Sequence, residues 1–165
     1  MKRLVIIQRV FVLCCLLTIQ FAVSAQESTK KEDQLAMTKQ LVDSKHYMFI
    51  PQSMTPQRSQ TRQIDFGYDL RVTGDTANCY MPYLGRSFVS DYGSNDGAIR
   101  FNTSDFSYKV EEQKKGGWTI TVTPNNVRNV RRIVLRITKE GRTSAEVSSN
   151  NRDLITYNGY IQALR

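Results

Sequence analysis

The sequence predicts a mainly β protein: an antiparallel barrel or sandwich of about eight short strands, with one helix near the N-terminus. Apolar residues recur at every second position in most of the chain beyond residue 62, which is typical of half-buried strands. Short groups containing Gly, Asn and Asp separate these stretches, and tight turns favour those residues. A barrel also removes exposed strand edges, and about eight strands can enclose one small ligand.

The first 25 residues have the pattern of an export signal. Lys2 and Arg3 precede an apolar run over residues 10–23, and Val23-Ser24-Ala25 offers the small residues that a signal peptidase recognises. The run is shorter than the roughly 20 apolar residues that span a bilayer, and no second run follows it. We therefore expect a chain that is exported, cleaved near Ala25 and not membrane-spanning afterwards.

Cys14 and Cys15 lie within this signal and allow a lipoprotein interpretation. A lipid-attachment signal has a small residue immediately before its cysteine, whereas Leu13 and Cys14 hold those positions here. The sequence thus favours a periplasmic or secreted protein, with residues 1–25 as signal peptide and residues 26–165 as a single β-rich domain. Cys79 is the one cysteine left after cleavage, so no internal disulfide is expected.

The charge of the mature chain argues against nucleic acid as a partner. Three of the 23 basic residues lie in the signal, which leaves 20 against 15 acidic residues, a net charge of +5. A surplus of this size serves solubility and favours anionic surfaces or glycans only weakly. The chain shows no dense stripe of Lys and Arg interleaved with aromatic residues, which a nucleic-acid-binding surface would require.

The segment before residue 62 contains the predicted helix. Thr29 and Glu32 fit a capping box at the start of a helix over residues 28–44. Its apolar stripe consists of Leu35, Thr38, Leu41 and Val42. Residues 47–50 are apolar and end at Pro51, and residues 52–61 are polar and aperiodic, so a mobile loop is expected there.

Strands are predicted one after another from residue 62 onward. In the first predicted strand, every second side chain points inward. These are Ile64, Phe66, Tyr68, Leu70 and Val72, and the strand ends at a turn over residues 73–75. Further strands are predicted over residues 77–81, 97–102, 106–112, 118–123, 131–138, 143–148 and 154–161.

One hairpin can be predicted to the exact register. Lys139-Glu140-Gly141 suits a three-residue loop closed by a left-handed glycine. A two-residue loop would place Glu146 on the core side, and burying that carboxylate costs several kcal/mol. The three-residue loop pairs Leu135 with Ala145 and Ile133 with Val147 inside, and Val134 with Glu146 outside, flanked by Arg132 and Arg136.

The interior of the predicted barrel has two possible forms. Tyr68, Tyr108 and Tyr157 are expected to point inward, and each hydroxyl needs a hydrogen-bond partner. They line a cavity in one form. In the other, which we favour, the core is filled and the hydroxyls reach backbone groups.

Three groups of residues form a recognisable pattern in the second half of the chain. They are the heptapeptide Tyr80-Met81-Pro82-Tyr83-Leu84-Gly85-Arg86, the pentapeptide Gly97-Ala98-Ile99-Arg100-Phe101, and Asn151-Arg152 with Ile155, Tyr157 and Gly159. Upstream, Leu41-Val42-Asp43-Ser44, Tyr47, Phe49 and Pro51 extend it. In this pattern the chain resembles an exported Bacteroidetes family, domain of unknown function family 4251, although Met81 and Leu84 stand where Leu and Phe are expected. The resemblance implies a small periplasmic or secreted domain with a lipocalin-like barrel and no known activity, so no catalytic residue is carried over.

The sequence predicts no catalytic residue, no metal ligand set and no cofactor. His46, the only histidine, is expected at a helix end, and Cys79 is expected to be an apolar strand residue unless His46 lies beside it. Residues 91–97 are rich in Asp, Asn and Gly but fail the calcium-loop template. Asp65 and Asp69 share a strand face that is expected to be solvated, which argues against a glycosidase pair.

The most specific stretch, residues 79–86, has a structural and a functional interpretation. In the structural one, Pro82 ends a strand and Gly85 adopts a positive φ at a corner. In the functional one, Tyr80, Tyr83 and Arg86 form a ligand clamp at the barrel mouth for an anionic or sugar-like ligand.

Two classes of function follow from the sequence. The first is a non-catalytic envelope protein that binds a small molecule, lipid or glycan at the barrel mouth or on one sheet face. The second is a module that binds another envelope protein through its exposed surface. A polar-rimmed cavity favours the first, and a filled barrel with a large exposed apolar patch favours the second.

Overall fold

The computed structural model describes residues 30–85, 97–114 and 116–164. Within them a helix, α1, covers residues 30–44 and ten strands follow. The strands are β1 (His46–Pro56), β2 (Arg62–Gln63), β3 (Asp69–Thr73), β4 (Ala77–Met81), β5 (Ile99–Thr103), β6 (Phe106–Glu112), β7 (Trp118–Pro124), β8 (Arg132–Ile137), β9 (Arg142–Ser148) and β10 (Ile155–Ala163).

The strands form one antiparallel sheet that curls into a nearly closed barrel, which confirms the predicted fold class. The strand order is β5-β4-β3-β1-β10-β9-β8-β7-β6, and the short β2 adds to β1. Consecutive strands pair with each other except β2 with β3 and β5 with β6, and β1 also pairs with β3. The pairing of β1 with β10 joins the first and the last strand and draws the sheet into a ring.

A single bend brings the two sheet edges, β5 and β6, together. Eight antiparallel pairings separate β5 from β6 along the sheet, so both run in the same sense and β6 continues β5 after Ser104 and Asp105. The Asp105 N–H donates to Thr103 Oγ1 at 3.0 Å, and the Asn125 N–H donates to the Asp105 carbonyl at 2.9 Å. Counted as one bent strand, β5 and β6 complete an eight-stranded barrel.

Large apolar side chains fill the interior of this barrel. The biggest fully buried side chains include Tyr47, Tyr157, Phe49, Leu70, Met81, Ile120, Ile133 and Leu135. They come from β1, β3, β4, β7, β8 and β10, so the core extends round the ring. This arrangement favours the filled core over the lined cavity.

Helix α1 packs its predicted apolar stripe on one end of the barrel. Thr38 and Val42 are buried, and Leu35 and Leu41 pack against the core. The helix ends at Ser44, and Lys45, with a left-handed φ of 51°, leads directly into β1. Among the described residues, no helix has the length and apolar content needed to cross a bilayer.

The β8–β9 hairpin has the predicted register. Leu135 pairs with Ala145, Ile133 with Val147 and Val134 with Glu146. The three-residue loop is closed by Gly141, whose φ is 79° and whose N–H donates to the Thr138 carbonyl at 3.0 Å. The register that was predicted from the desolvation cost of Glu146 is therefore confirmed.

The prediction of a mobile loop over residues 52–61 is wrong for its first half, because β1 continues to Pro56. A proline has no N–H to give to a ladder. Pro51 is tolerated because the last β1–β3 pair is Phe49 with Leu70, so the ladder on that side has already ended. On the other side the register of β1 with β10 shifts between Pro51 and Ser53, which is a β-bulge.

The prediction of one continuous strand over residues 62–72 is also wrong. Only its two ends are extended, as β2 and β3, and Gly67 between them has a φ of 100° that interrupts the pleat. Leu70 and Val72 point inward as predicted, whereas Phe66 is fully exposed. We call residues 64–68 the β2–β3 arm.

The three tyrosines expected inside have different positions. Tyr157 is buried, and its hydroxyl donates to the Pro82 carbonyl at 2.7 Å, as a filled core requires. Tyr108 is half-buried, with its hydroxyl 3.1 Å from that of Tyr47. Tyr68 instead packs outside, with its ring centroid 5.0 Å from that of Tyr80.

Candidate functional site

Tyr80 lies on the outer wall of the barrel. Its strand neighbours Cys79 and Met81 are buried, so the alternation of β4 turns Tyr80 outward. The Arg100 guanidinium on the paired strand lies 4.5 Å from its ring centroid. The Tyr80 ring is thus held between Tyr68 and Arg100 on this wall.

Tyr83 lies beyond the end of β4, in a corner made with the segment before β10. Its hydroxyl donates to the Asp153 carbonyl at 3.2 Å, and the Arg152 guanidinium lies 4.9 Å from its ring centroid. Arg152 Nη1 also donates to the Gly97 carbonyl at 3.1 Å. Burial, and then the nearby Asp153 carboxylate, raise the pKa of Tyr83. Tyr80 and Tyr83 therefore contact different groups of residues.

Gly85 serves this corner in a different way from the one predicted. The φ of Gly85 is not positive, so the prediction that it adopts a left-handed conformation is wrong. A Cβ on Gly85 would lie 2.6 Å from the Tyr83 hydroxyl, so the missing side chain makes room for that ring. A depression of 220 Å³ adjoins the corner and includes Arg58, whose Nε lies 3.8 Å from Asp153 Oδ2.

Arg86, the third residue of the predicted clamp, lies outside the described residues, as do residues 91–96 of the loop compared with a calcium site. The clamp of Tyr80, Tyr83 and Arg86 therefore stays a prediction.

The remaining candidates for chemistry are engaged in structural roles. Cys79 is fully buried, and burial raises the pKa of its thiol far above the ordinary value, which disfavours the thiolate form that a nucleophile needs. Asp69 begins β3 and binds Arg71 at 2.7 Å with only 14% of its side chain exposed, whereas Asp65 lies outside any strand, so the two carboxylates do not share a solvated strand face. His46 is exposed at the start of β1. Across the described ranges, no three His, Cys, Asp or Glu residues come together as a metal site would need.

A groove of about 810 Å³ crosses the outer face of β2, β1, β10, β9 and β8. We call it the outer groove. One row of paired residues runs across it, one from each strand: Gln63, Ser53, Asn158, Ser144 and Arg136. With neighbouring strands about 4.8 Å apart, a row across five strands spans roughly 19 Å. The row is polar at every position.

A second row lies beside the first, toward the α1 end of the barrel. Tyr160 pairs with Arg142, and the Thr138 N–H donates to the Arg142 carbonyl at 2.8 Å. Small residues, Ser53 and Ser144, hold inner positions of the first row, while longer side chains surround them. This alternation of short and long side chains gives the groove its floor and its walls.

A second depression of about 360 Å³ adjoins the outer groove and shares Gln52, Gln63 and Tyr160 with it. The β2–β3 arm forms its far side. The exposed ring of Phe66 lies here, in a lining that contains the amides of Gln52 and Gln63 and the carboxylates of Asp65 and Asp69.

The charge of the outer groove is positive. Arg136 and Arg142 line it, and the lining contains no carboxylate, imidazole or thiol. Glu146 lies just beyond, with its Oε2 3.5 Å from Arg136 Nη1. The side chains of Arg136 and Glu146 are 51% and 27% exposed, and an ion pair this long and partly solvated contributes little energy.

The outer groove is not visible in the sequence, because its residues come from five strands and span more than 100 positions, from Gln52 to Tyr160. The predicted β8–β9 register already put Arg136 opposite Ser144 on the outer face. The partner strands β1 and β2 could not be added, since residues 52–61 were expected to form a loop.

Comparisons with known proteins agree with this architecture. A family model described as "Domain of unknown function (DUF4251)" matches residues 29–161. The barrel is similar to the crystal structure of a DUF4251 family protein from Bacteroides eggerthii DSM 20697, with a TM-score of 0.57 and 12% sequence identity over 79% of this chain and 87% of that one. No curated protein matches the chain. The match over most of its length shows that the chain belongs to the DUF4251 family, as the pattern around Tyr83 predicted.

Proposed function

We propose that this protein is a non-catalytic binding domain of the cell envelope, and that it holds a polar ligand in the outer groove. The observation that carries the proposal is the groove itself: five strands place polar side chains in one unbroken row. The filled barrel interior bears on the place of binding rather than on binding itself, because it leaves a sheet face rather than an internal cavity for a ligand.

The composition of the groove supports binding rather than catalysis. General acid–base chemistry uses His, Asp, Glu, Lys, Cys or Tyr within hydrogen-bond reach of the reacting atoms. The lining offers only Tyr160 from this set. Amides and hydroxyls such as Asn158 and Ser144 both donate and accept hydrogen bonds, so they suit recognition of a neutral or anionic polar molecule.

The proposed location is the periplasm or the exterior, after cleavage of residues 1–25. The support is the sequence pattern of the first 25 residues. Intact mass spectrometry of the exported protein tests this proposal. We expect a chain that begins at Gln26, and a lipid-modified chain that begins at Cys15 would contradict it.

A ligand screen with blocked variants tests the binding role. Ser144→Trp places a large side chain on the groove floor, whereas Ser148→Trp places the same side chain four residues along β9, on the same face but outside the groove. Glycans, lipids and small anions are screened by thermal shift. A ligand at 100 times its Kd stabilises the protein by about 2.7 kcal/mol.

We expect hits that stabilise the wild type and Ser148→Trp but not Ser144→Trp. Hits that stabilise all three proteins equally would show that the outer groove is not the binding site. A screen without hits would favour a second function, a module for binding another envelope protein. The fully exposed Phe66 on the β2–β3 arm supports that alternative, because large aromatic side chains are enriched at protein interfaces.

A further inference from the structure

We propose that the ligand of the outer groove is an acidic glycan, a sugar chain that carries carboxylate or sulfate groups. This inference rests on the proposed binding function and specifies its ligand class. It follows from three features of the groove: two arginines placed side by side, amide groups along the rows, and a floor whose main-chain groups are already paired.

The two arginines form a site for one anionic group. Arg136 pairs with Ser144, and Arg142 lies two residues from Ser144 on the same face of β9. They are therefore diagonal neighbours, whose Cα atoms lie roughly 7–8 Å apart in an antiparallel pair. A guanidinium binds carboxylate or sulfate through two parallel hydrogen bonds, and an anion between two guanidinium groups also removes their mutual repulsion.

The amide groups indicate that the anion is part of a hydroxyl-rich chain. Gln52, Gln63 and Asn158 extend from the arginines along the groove, and each amide can donate and accept. Sugar hydroxyls need both kinds of partner. Tyr160 adds an aromatic side chain with a polar end between the arginines and the amides.

The paired main chain of the floor argues against an extended acidic peptide. Peptides commonly bind to sheets by adding a strand to a free edge, through main-chain hydrogen bonds. In the groove, β9 and β10 each have a strand on both sides, so their main-chain groups are already used. Recognition must then come from side chains, which suits a ligand that carries its own hydroxyl groups.

Titration calorimetry at low ionic strength tests the proposal with four probes: an oligogalacturonate, a heparin oligosaccharide, a neutral cello-oligosaccharide and poly-L-glutamate. The first two distinguish carboxylate from sulfate, and the last two isolate the roles of charge and of sugar hydroxyls. The variants are Arg136→Gln and Arg142→Gln. The matched control is Arg132→Gln, which removes the same charge from the outer face of β8 but outside the groove.

We expect at least one acidic oligosaccharide to bind more tightly than both the neutral oligosaccharide and poly-L-glutamate. Each groove variant should then lose about tenfold to a hundredfold in affinity, the value of one charged hydrogen-bonded contact. Arg132→Gln should bind like the wild type. Added salt should weaken binding, because part of the attraction is between charges near the surface.

Three results would overturn the inference, and they separate it from the proposed function. If the neutral oligosaccharide binds as tightly and Asn158→Ala weakens it while the arginine variants do not, the groove binds sugars but charge plays no part. If poly-L-glutamate binds as tightly as the acidic oligosaccharides, the ligand is not defined by its sugar hydroxyls. If no probe binds and the wider screen also yields no ligand that Ser144→Trp blocks, both the inference and the proposed function fail.

Discussion

Gly159 is the position where one added carbon atom should cost most. It pairs with Pro51 at the bulge of β1, and a Cβ built on it would collide with the Ile50 carbonyl oxygen. The same Cβ would lie 2.9 Å from the Ile50 carbonyl carbon and 3.0 Å from Pro51 Cα. All three atoms belong to the backbone, so no side-chain rotation relieves the contact, and β1 must move away from β10.

The expected cost of Gly159→Ala follows from three contributions. Overpacking a rigid site costs about 1–3 kcal/mol, and the loss of one ladder hydrogen bond costs about 1 kcal/mol. The lower entropy of the unfolded chain returns about 0.4–1 kcal/mol. The net loss in the free energy of unfolding is then about 1–3.6 kcal/mol. Urea unfolding at constant m-value measures it as a lower midpoint.

Two further variants make the prediction sharper. Gly159→Val should cost more than Gly159→Ala, although strands favour valine over glycine. Gly85→Ala should cost about 1 kcal/mol, the value of the hydrogen bond lost when the displaced Tyr83 ring leaves Asp153. A Gly159→Val protein as stable as the wild type would refute the packing argument.

Three other predictions test the hairpin, the core and the clamp. Leu135→Ala should cost roughly 2–5 kcal/mol, whereas Glu146→Gln should barely change the melting temperature, and equal losses would contradict the register. Burial raises the pKa of Tyr108 to about 12. Above pH 10 the unfolded chain therefore loses this proton while the folded protein keeps it, so stability should fall between pH 10 and pH 12, and less so in Tyr108→Phe. A thermal-shift hit lost by both Arg86→Ala and Tyr83→Ala, with folding unchanged, would establish the predicted clamp; hits kept by both variants would reject it.

Much of the barrel is predictable because its strands are short, alternate cleanly and turn on glycine. β4 and β6 have their predicted bounds, and the β8–β9 register follows from a single carboxylate that must stay in water. In such places local pattern and tertiary burial demand the same arrangement.

The errors occur where a tertiary contact overrides a local rule. Pro51 is expected to end a strand because it has no N–H to donate. Nevertheless β1 continues past it and pairs with β10 on both sides of the bulge. Phe66 fits an alternating pattern, but Gly67 turns the chain away from the barrel. The outer groove was not predictable for a related reason: its residues come together only when the strands on both sides of β9 are known. One of these strands, β10, is joined to β1 by a pairing that no local sequence pattern indicates.

That pairing has a consequence for the order of events in folding. Tyr47 pairs with Ala163, so the first strand of the barrel must wait for the last one to be available. Contacts so distant along the chain slow folding, because the entropy of closing a long loop is lost before the contacts form. The hairpins from β7 to β10 can form while β1 still lacks this neighbour. A chain still being synthesised would therefore keep one edge of β1, which includes Phe49, unpaired until β10 is available, and such an edge is open to chaperones and to wrong pairing.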